Sequence, residues 1–294
     1  MQRTMSRIAS ACLVTGLAAL VASPAHASPT ADVSLGAFVD DTSGTSFDLS
    51  GSFSPNEWWT LSAGIGQSKS SQDLADLTGR VVHASAQVAG KSLGSRLSFS
   101  NWDDSGSFQS QTIGGQFFWR NGGLQLSALL ENRRLDVDYT IVLPLRRIPQ
   151  SQSFDGNGYG AEVSYYGERW GGYVRGLTYD YDAALDRLIA ASQLPNLEQF
   201  PRIQALVGSL LTRTAGAQDY DLSAGVDRAF QRSGVRLDLW RSRDAITGDD
   251  SQDISVSYRY SISPRVEIEG SVGVTDSDNF DSLTHGGLTL TFRN

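Results

Sequence analysis

Apolar and polar residues alternate along most of the chain after residue 30, in stretches of about ten residues. The last stretch is an example, because Leu288, Leu290 and Phe292 are separated by two threonines. A period of two places the apolar residues on one face of a β-strand and the polar residues on the other. The alternation predicts an all-β chain of about fourteen strands, with twelve and sixteen as alternatives. The stretches with this pattern are 31–40, 45–53, 58–66, 80–89, 93–102, 107–119, 124–137, 155–166, 171–181, 218–230, 234–244, 251–261, 264–275 and 283–293.

The connections between these stretches fall into two classes of length. The longer class contains 67–79, the run from Tyr139 to Ser153, and the segment from Asp182 to Ala217. Short turns at one rim and long loops at the other are typical of a transmembrane antiparallel up-and-down barrel with an even number of strands. Both termini then lie at the rim with the short turns. The short connections, rich in the Gly, Pro, Asn and Ser that hairpin turns require, are 54–57, 90–92, 120–123, 167–170, 232–234 and 263–264.

A soluble β-sandwich also alternates, but three features favour a barrel that faces lipid. The stretches are about ten residues long, whereas strands of globular proteins are usually five or six. The chain has only 8 prolines in 294 residues, and its aromatic residues concentrate near the turns, as in the aromatic girdles of membrane proteins. Near the long connections, the residues expected to form the outer girdle are Trp102, Tyr139, Tyr179, Tyr181 and Tyr220.

The face opposite the apolar one is polar and is predicted to line a lumen. The charges on this face have both signs, so they could set a field across a pore or pair and close it. On the stretch 171–181 the assignment conflicts, because Arg175 shares its face with Tyr173 and Leu177. The predicted pore-lining residues are Arg96, Glu131, Arg133, Glu162, Arg236, Asp238, Arg259, Glu267 and Glu269.

The first 27 residues have the pattern of a cleaved signal peptide. Arg3 and Arg7 precede an apolar run from Ala11 to Ala22, and a small-residue cleavage site ends at Ala27. We therefore expect residues 28–294 to form the barrel, without the single cysteine, Cys12. Removing two arginines leaves 22 basic and 32 acidic residues, a net charge of −10, which disfavours nucleic acid as a partner.

The segment 182–216 has helical rather than strand spacing. Leu185, Leu188 and Ile189 recur at i, i+3 and i+4, and a second such set follows Pro201. The spacing predicts two short amphipathic helices in one long loop. Their apolar faces need a partner, which could be the barrel rim, the lumen wall, another subunit or a ligand.

The chemistry of the chain favours a protein that is not an enzyme. After residue 27 it has two histidines, His83 and His285, and no Cys/His cluster, phosphate loop or dinucleotide motif. His285 is near Asp278 and Asp281 in sequence, so these residues could form the acid/base pair of a membrane-embedded hydrolase. We keep this enzyme as the least favoured of the functions considered. No cofactor is predicted, and the metal content stays open.

Acidic residues concentrate beside the long connections. A divalent cation bound by these residues is the one cofactor that we consider. An acidic outer mouth could attract cations, or hold divalent ions that bridge to lipopolysaccharide phosphates; the simpler explanation is a solvated surface that keeps the loops soluble. The aspartates there are Asp40, Asp41, Asp73, Asp76, Asp103, Asp104, Asp136, Asp138, Asp180, Asp182, Asp244, Asp249, Asp250, Asp253, Asp276, Asp278 and Asp281.

Together, the signal peptide, the alternating stretches and the two classes of connection resemble a bacterial outer-membrane β-barrel of the porin-like kind. One departure is that Phe292, the terminal aromatic expected by the barrel-insertion machinery, is followed by Arg293 and Asn294. The resemblance implies the outer membrane of a Gram-negative bacterium, periplasmic termini, and contact with outer-membrane lipids and lipopolysaccharide. Apolar faces that meet lipid and those that meet a second subunit look alike, so a homo-oligomer is compatible with the sequence.

The function implied by this resemblance is a porin or channel that passes small hydrophilic solutes. The alternative is a surface binding or assembly protein, in which the barrel is an anchor and the acidic loops with residues 182–216 contact a partner.

Overall fold

A computed structural model describes residues 29–41, 44–72, 75–104, 108–143, 146–182, 217–245, 248–278 and 280–294. The predicted signal peptide (1–27) lies outside these residues. The predicted helical insertion (182–216) also lies outside them, apart from Asp182. Within the described ranges, no helix is long and apolar enough to span a membrane.

Fourteen antiparallel strands, each paired with its neighbours in sequence, form one closed barrel. The porin-like barrel and its strand count are therefore confirmed at the level of fold, and the alternatives of twelve and sixteen strands are wrong. The strands are β1 (Thr30–Asp40), β2 (Thr45–Ser54), β3 (Trp59–Gln72), β4 (Ala75–Ala89), β5 (Leu93–Asp104), β6 (Phe108–Asn121), β7 (Leu124–Leu143), β8 (Arg146–Tyr166), β9 (Trp170–Tyr181), β10 (Gln218–Ala229), β11 (Ser233–Asp244), β12 (Asp250–Ser263), β13 (Val266–Ser277) and β14 (Phe280–Arg293).

The first and last strands close the barrel. Val33 pairs with Phe292 and Asp40 pairs with His285, and a side-chain hydrogen bond of 2.9 Å joins the hydroxyls of Ser34 and Thr291. The alternation of the last ten residues therefore belongs to a strand with partners on both sides, which removes the open edge that a membrane could not tolerate.

The two rims of the barrel differ. One, which we call the short-turn rim, carries the start of β1 and the end of β14. It also carries the connections 55–58, 90–92, 122–123, 167–169, 230–232 and 264–265. At the 122–123 turn, Gly122 adopts a φ of 60°, a backbone conformation that other residues rarely adopt. The opposite end, which we call the loop rim, carries the remaining connections.

Two connections predicted as long loops at the loop rim are instead paired strands. Residues 67–79 belong mostly to the β3–β4 hairpin, in which Gln67 pairs with Arg80 and Gln72 with Ala75. Within the run from Tyr139 to Ser153, the residues up to Leu143 belong to β7 and those from Arg146 belong to β8, and the two strands pair as far as Leu143 and Arg146. The two strands of a hairpin satisfy each other's backbone hydrogen bonds, so a hairpin can continue beyond the barrel wall. These two hairpins continue where the sequence does not form a turn.

The proline in this extension does not interrupt it, although proline lacks an N–H group. Pro149 pairs with Thr140 of β7, while β8 pairs with β9 only from Gly156 to Tyr166. The other edge of β8 at Pro149 is therefore unpaired, and such an edge is where proline is tolerated in a sheet.

The outer face of the barrel is an apolar band. Leu35 is 57% exposed, Phe117 60% and Val163 48%, values that a water-soluble protein avoids over a whole surface. On β7 the outward positions change from Leu126 and Leu130 to polar residues at Asn132 and beyond. A closed barrel with an apolar outer band is the architecture of a membrane-spanning protein.

The aromatic girdle is as expected at the short-turn rim and differs at the loop rim. Trp59, Trp170 and Phe292 are each about half exposed at the short-turn rim. At the loop rim, Tyr179 is buried, so its assignment to the outer girdle is wrong. Tyr181 and Trp102 are wrongly assigned as well, because they alternate with outward residues and face inward.

Candidate functional site in the barrel lumen

The inner face of the barrel has two chemically different walls. The first, which we call the hydroxyl wall, covers β12–β14 and β1–β4 and carries mostly small residues. Neighbouring hydroxyls bond to one another, as between Ser62 and Ser85 (2.6 Å) and between Ser251 and Ser277 (3.0 Å). Its inward hydroxyl residues include Ser34, Ser46, Ser50, Ser52, Ser54, Thr60, Ser62, Ser68, Ser85, Ser251, Ser255, Ser257, Ser261, Ser271, Thr275, Ser277, Thr289 and Thr291.

The second wall, which we call the charged wall, covers β7–β11 and is built around Glu131. One carboxylate oxygen of Glu131 accepts a hydrogen bond from Arg175 (3.0 Å), and the other accepts one from the Tyr179 hydroxyl (2.8 Å). The Arg133 guanidinium lies 3.8 Å from the same carboxylate. Because these groups are largely buried, each depends on the others to replace the water it has lost.

Glycines of β8 allow this cluster to form across a strand. Glu131 is on β7 and Arg175 on β9, with β8 between them. The inward glycines of β8 leave a flat strip on which β9 side chains lie: a methyl group on Gly158 would be 2.7 Å from the Tyr179 ring, and one on Gly156 would be 2.6 Å from the Tyr181 ring. Side chains from β7 and β9 therefore meet over the backbone of β8.

Arg133 joins the ends of three strands. It donates to the Tyr179 hydroxyl (3.0 Å) and to the side-chain oxygen of Gln218 (3.3 Å), and it lies over the Tyr179 ring at 4.5 Å. The backbone N–H of Gln218 in turn donates to the Tyr181 hydroxyl (3.0 Å). A register shift between Gln218 and Tyr220 turns Gln218 inward, so the bulge directs this side chain toward Arg133.

A second charged cluster lies on β9–β11. Arg236 and Asp238 form an ion pair of 2.7 Å, and the Tyr173 hydroxyl donates to the same aspartate at 3.0 Å. Nearby, the Trp240 indole N–H donates to the Asp221 carboxylate at 2.7 Å. Each of these groups faces inward and has at least one polar partner.

The nine predicted pore-lining residues therefore fall into several places. Glu131, Arg133 and the buried Glu162 lie on the charged wall, where Glu162 pairs in register with Arg175. Arg236 and Asp238 form the second cluster, and Arg96 donates to Ser85 at the edge of the hydroxyl wall.

The last three predicted residues lie toward the short-turn rim. Arg259 is 3.9 Å from Asp227 and is the register partner of Glu269. Glu267 binds Arg293 through two hydrogen bonds of 3.0 and 3.2 Å.

Sequence reasoning missed the inward residues of β9: Arg175, Tyr173, Tyr179 and Tyr181. On this strand the inward positions carry the bulky residues, whereas two of the outward positions, Gly172 and Gly176, are glycines. Its pattern is therefore the reverse of its neighbours' pattern. The conflict at Arg175 was the available signal, since a charge on the lipid face would have been costly.

Both histidines also face the lumen. His285 Nε2 lies 2.7 Å from the carboxylate of Asp253, which also accepts a hydrogen bond from Thr275 (2.8 Å). The carboxylate that binds His285 is thus on β12, and the side chain of Asp281 lies outside what the structure describes. No hydrogen bond joins either histidine to a serine hydroxyl in the described part of the chain, and no group of three or more His, Cys, Asp or Glu residues there is arranged to hold a metal ion.

An ion-pair cluster lies on the outside of the barrel at the loop rim, above the apolar band. Asp250, the first residue of β12, binds Arg243 at 2.9 Å and Arg241 at 2.8 Å, and accepts a hydrogen bond from the Tyr220 hydroxyl (3.1 Å). The hydrogen bonds from Arg243 and Arg241 hold the pKa of the Asp250 carboxyl well below its usual range. This carboxylate therefore stays charged in moderately acidic solution.

No protein-family model matches the chain. No curated protein matches it either. Solved structures similar to it include the "CymD monoaromatic hydrocarbon channel", at 10% identity and a TM-score of 0.49 over 90% of this chain and 87% of that one. Others are a KdgM porin, at 10% identity and a TM-score of 0.45 over 89% and 98% of the two chains, and the outer membrane protein OpdK from Pseudomonas aeruginosa, at 9% identity and a TM-score of 0.43 over 91% and 99%.

Proposed function

We propose that this protein is an outer-membrane channel that passes small hydrophilic solutes through the lumen between the hydroxyl wall and the charged wall. The observation that carries the proposal is a polar inner face within a closed barrel of fourteen strands. Barrels of eight strands fill their interior with side chains, whereas barrels of sixteen or more hold a water channel. Fourteen strands are close to the second class.

The arrangement of side chains supports this proposal. On β9, Leu177, Tyr179 and Tyr181 lie flat over β8 glycines, and Tyr173 lies over Gly225 of β10, instead of projecting across the barrel. On the charged wall, Arg133 and Arg175 pair with Glu131, and Arg236 pairs with Asp238. On the opposite wall most inward residues are small, and many of them carry hydroxyls. A solute that forms hydrogen bonds would find donors and acceptors on one side and paired charges on the other.

Conductance across a planar lipid bilayer tests the channel. We expect the folded protein to produce stepwise current increases, because only a continuous aqueous path gives discrete conductance. Folding is checked by the change in gel mobility between unheated and heated samples. A folded, inserted barrel that carries no current would reject the proposal and favour the alternative of a surface binding protein.

The Glu131→Gln variant tests whether the current passes along the charged wall. Removing this carboxylate leaves the positive charges of Arg133 and Arg175 without their partner. We expect the reversal potential in a salt gradient to shift toward the value of an anion-selective pore. The matched control is Glu168→Gln, which removes one carboxylate from the exposed 167–169 turn outside the lumen and should leave the reversal potential unchanged.

A further inference from the structure

An arginine on the outer surface at the short-turn rim is held between two aromatic rings. Arg228 of β10 is exposed and pairs in register with Trp170 of β9 and Val235 of β11. Its guanidinium carbon lies 4.8 Å from the centre of the Trp170 ring and 5.2 Å from that of Phe230. Cation–π contacts at these distances fix the position of the guanidinium group.

The guanidinium of this arginine contacts the two rings but has no carboxylate partner in the part of the chain that the structure describes. The Arg228 side chain forms no ion pair and no hydrogen bond with any residue that the structure describes, whereas the side chains of Arg134 and Arg241, also on the outer surface, each bind an aspartate. The neighbouring Asp227 faces inward and is near Arg259. The N–H donors of Arg228 are thus directed to the surroundings of the barrel.

The surroundings of Arg228 are apolar on one side and basic on the other. Toward the middle of the membrane, the outward residues next to it are Val226 and Leu237. Toward the rim are the 167–169 and 230–232 turns, which contain Arg169, Arg232 and one carboxylate, Glu168. Arg228 is therefore placed at the boundary between lipid chains and headgroups, with an excess of positive charge.

We propose that Arg228, Trp170 and Phe230 form a binding site for the phosphate of an anionic glycerophospholipid. An arginine facing lipid is unfavourable unless it reaches the interface or an anion, and a phosphate accepts the parallel hydrogen bonds of a guanidinium group. The two rings pack against the first segments of the acyl chains, as aromatic residues do at membrane interfaces. The leaflet would be the periplasmic one, which rests on the proposed outer-membrane orientation.

Native mass spectrometry of the purified barrel with added phosphatidylglycerol or phosphatidylcholine tests the site. We expect phosphatidylglycerol to bind more tightly than phosphatidylcholine, and Arg228→Gln to weaken phosphatidylglycerol binding about tenfold through loss of a charge-assisted contact. Arg134→Gln is the matched control: it removes one exposed arginine from the outer surface at the other rim, where Asp136 already binds it. Binding by this control should equal that of the wild type.

Three results would overturn the proposal: equal binding of the two lipids, unchanged binding by Arg228→Gln, or equal losses in the two variants. Displacement of the lipid by millimolar inorganic phosphate would identify a general anion site and would also contradict a lipid site. Arg228→Lys keeps the charge but not the planar group, and we expect it to bind between wild type and Arg228→Gln. Because Arg228 faces away from the lumen, conductance should be normal in all these variants, so failure of this site leaves the channel proposal intact.

Discussion

At the scale of single residues, the lumen wall depends on glycines that lie opposite bulky inward side chains. A glycine provides the space in which the opposite ring or chain folds flat onto the sheet, an arrangement used to compensate for glycine in β-sheets. The same pairing occurs on several strands and explains part of the high glycine content of the chain. The register pairs of this kind include Gly36 with Asp48, Gly64 with His83, Gly94 with Phe118, Gly156 with Tyr181, Gly158 with Tyr179, Gly160 with Leu177, Gly225 with Tyr173, Gly273 with His285 and Gly287 with Phe38.

Substitution of Gly158 by alanine tests this role. The added methyl group would lie 2.7 Å from the Tyr179 ring, so the ring must move away from its hydrogen bonds with Glu131 and Arg133. We expect the free energy of unfolding to fall by about 1–3 kcal/mol, as in other overpacked sites. The measurement is urea unfolding of the barrel in lipid vesicles, followed by tryptophan fluorescence.

Gly115→Ala is the control for that substitution. Gly115 is also in a barrel strand, but a methyl group there meets no atom within 4 Å. Its free energy of unfolding should therefore stay within about 0.5 kcal/mol of the wild type. Equal losses in the two variants would mean that strand propensity, and not the contact with Tyr179, determines the effect.

At the scale of elements, the β7–β8 hairpin extends past the barrel at the loop rim. Strand β6 pairs with β7 only up to Val137, and β9 pairs with β8 only from Gly156. Residues 138–143 of β7 and 146–151 of β8 therefore pair only with each other, and none of these described residues has a backbone partner in another strand. We expect that replacing 138–151 by an Asn-Gly turn, which suits a two-residue hairpin, leaves the barrel folded.

The heat-dependent gel mobility of the shortened protein checks this expectation. A mobility shift like that of the wild type is the expected result, because the pairs from Leu124 to Val137 of β7 are kept. Loss of the folded band would show that the extension is required for assembly. As a matched control, we remove the same number of residues from β8 between Ser153 and Tyr166, a deletion that must break pairs with both β7 and β9.

The strands could be predicted from the sequence wherever lipid requires apolar residues at every second position. That requirement identified all fourteen strands, and for most of them the correct faces. It failed on β9, because the inward face there holds Tyr173, Leu177 and Tyr179, whose partners are glycines of other strands. The pairing of Gly158 with Tyr179 depends on the register between two strands, which alternation within one strand does not contain. For the same reason the cluster of Glu131 and Arg175 was not foreseen as a pair.

At the scale of the whole molecule, charge is unevenly divided between the two rims. Most aspartates of the barrel lie near the loop rim, whereas the short turns carry Lys91, Arg169, Arg232 and Arg265. A protein whose channel mouth is acidic raises the local concentration of cations there. If the proposed channel conducts, its entry at the loop rim should therefore favour cations over anions.

Neutralising two carboxylates at the loop rim tests this long-range effect. We expect the Asp41→Asn, Asp182→Asn double variant to lower the cation-to-anion permeability ratio roughly twofold at 0.01–0.1 M salt. The change should vanish near 1 M salt, where the screening length falls to about 3 Å. The control is the Glu57→Gln, Glu168→Gln double variant, which removes the same charge from the short-turn rim. In low salt, with a gradient that drives cations in from the loop rim, this control should change the permeability ratio less than the loop-rim variant does. Reversal potentials decide between the explanations: equal effects of the two variants, or an effect that persists at 1 M salt, would mean that selectivity is set inside the lumen by the charged wall and not at the acidic mouth.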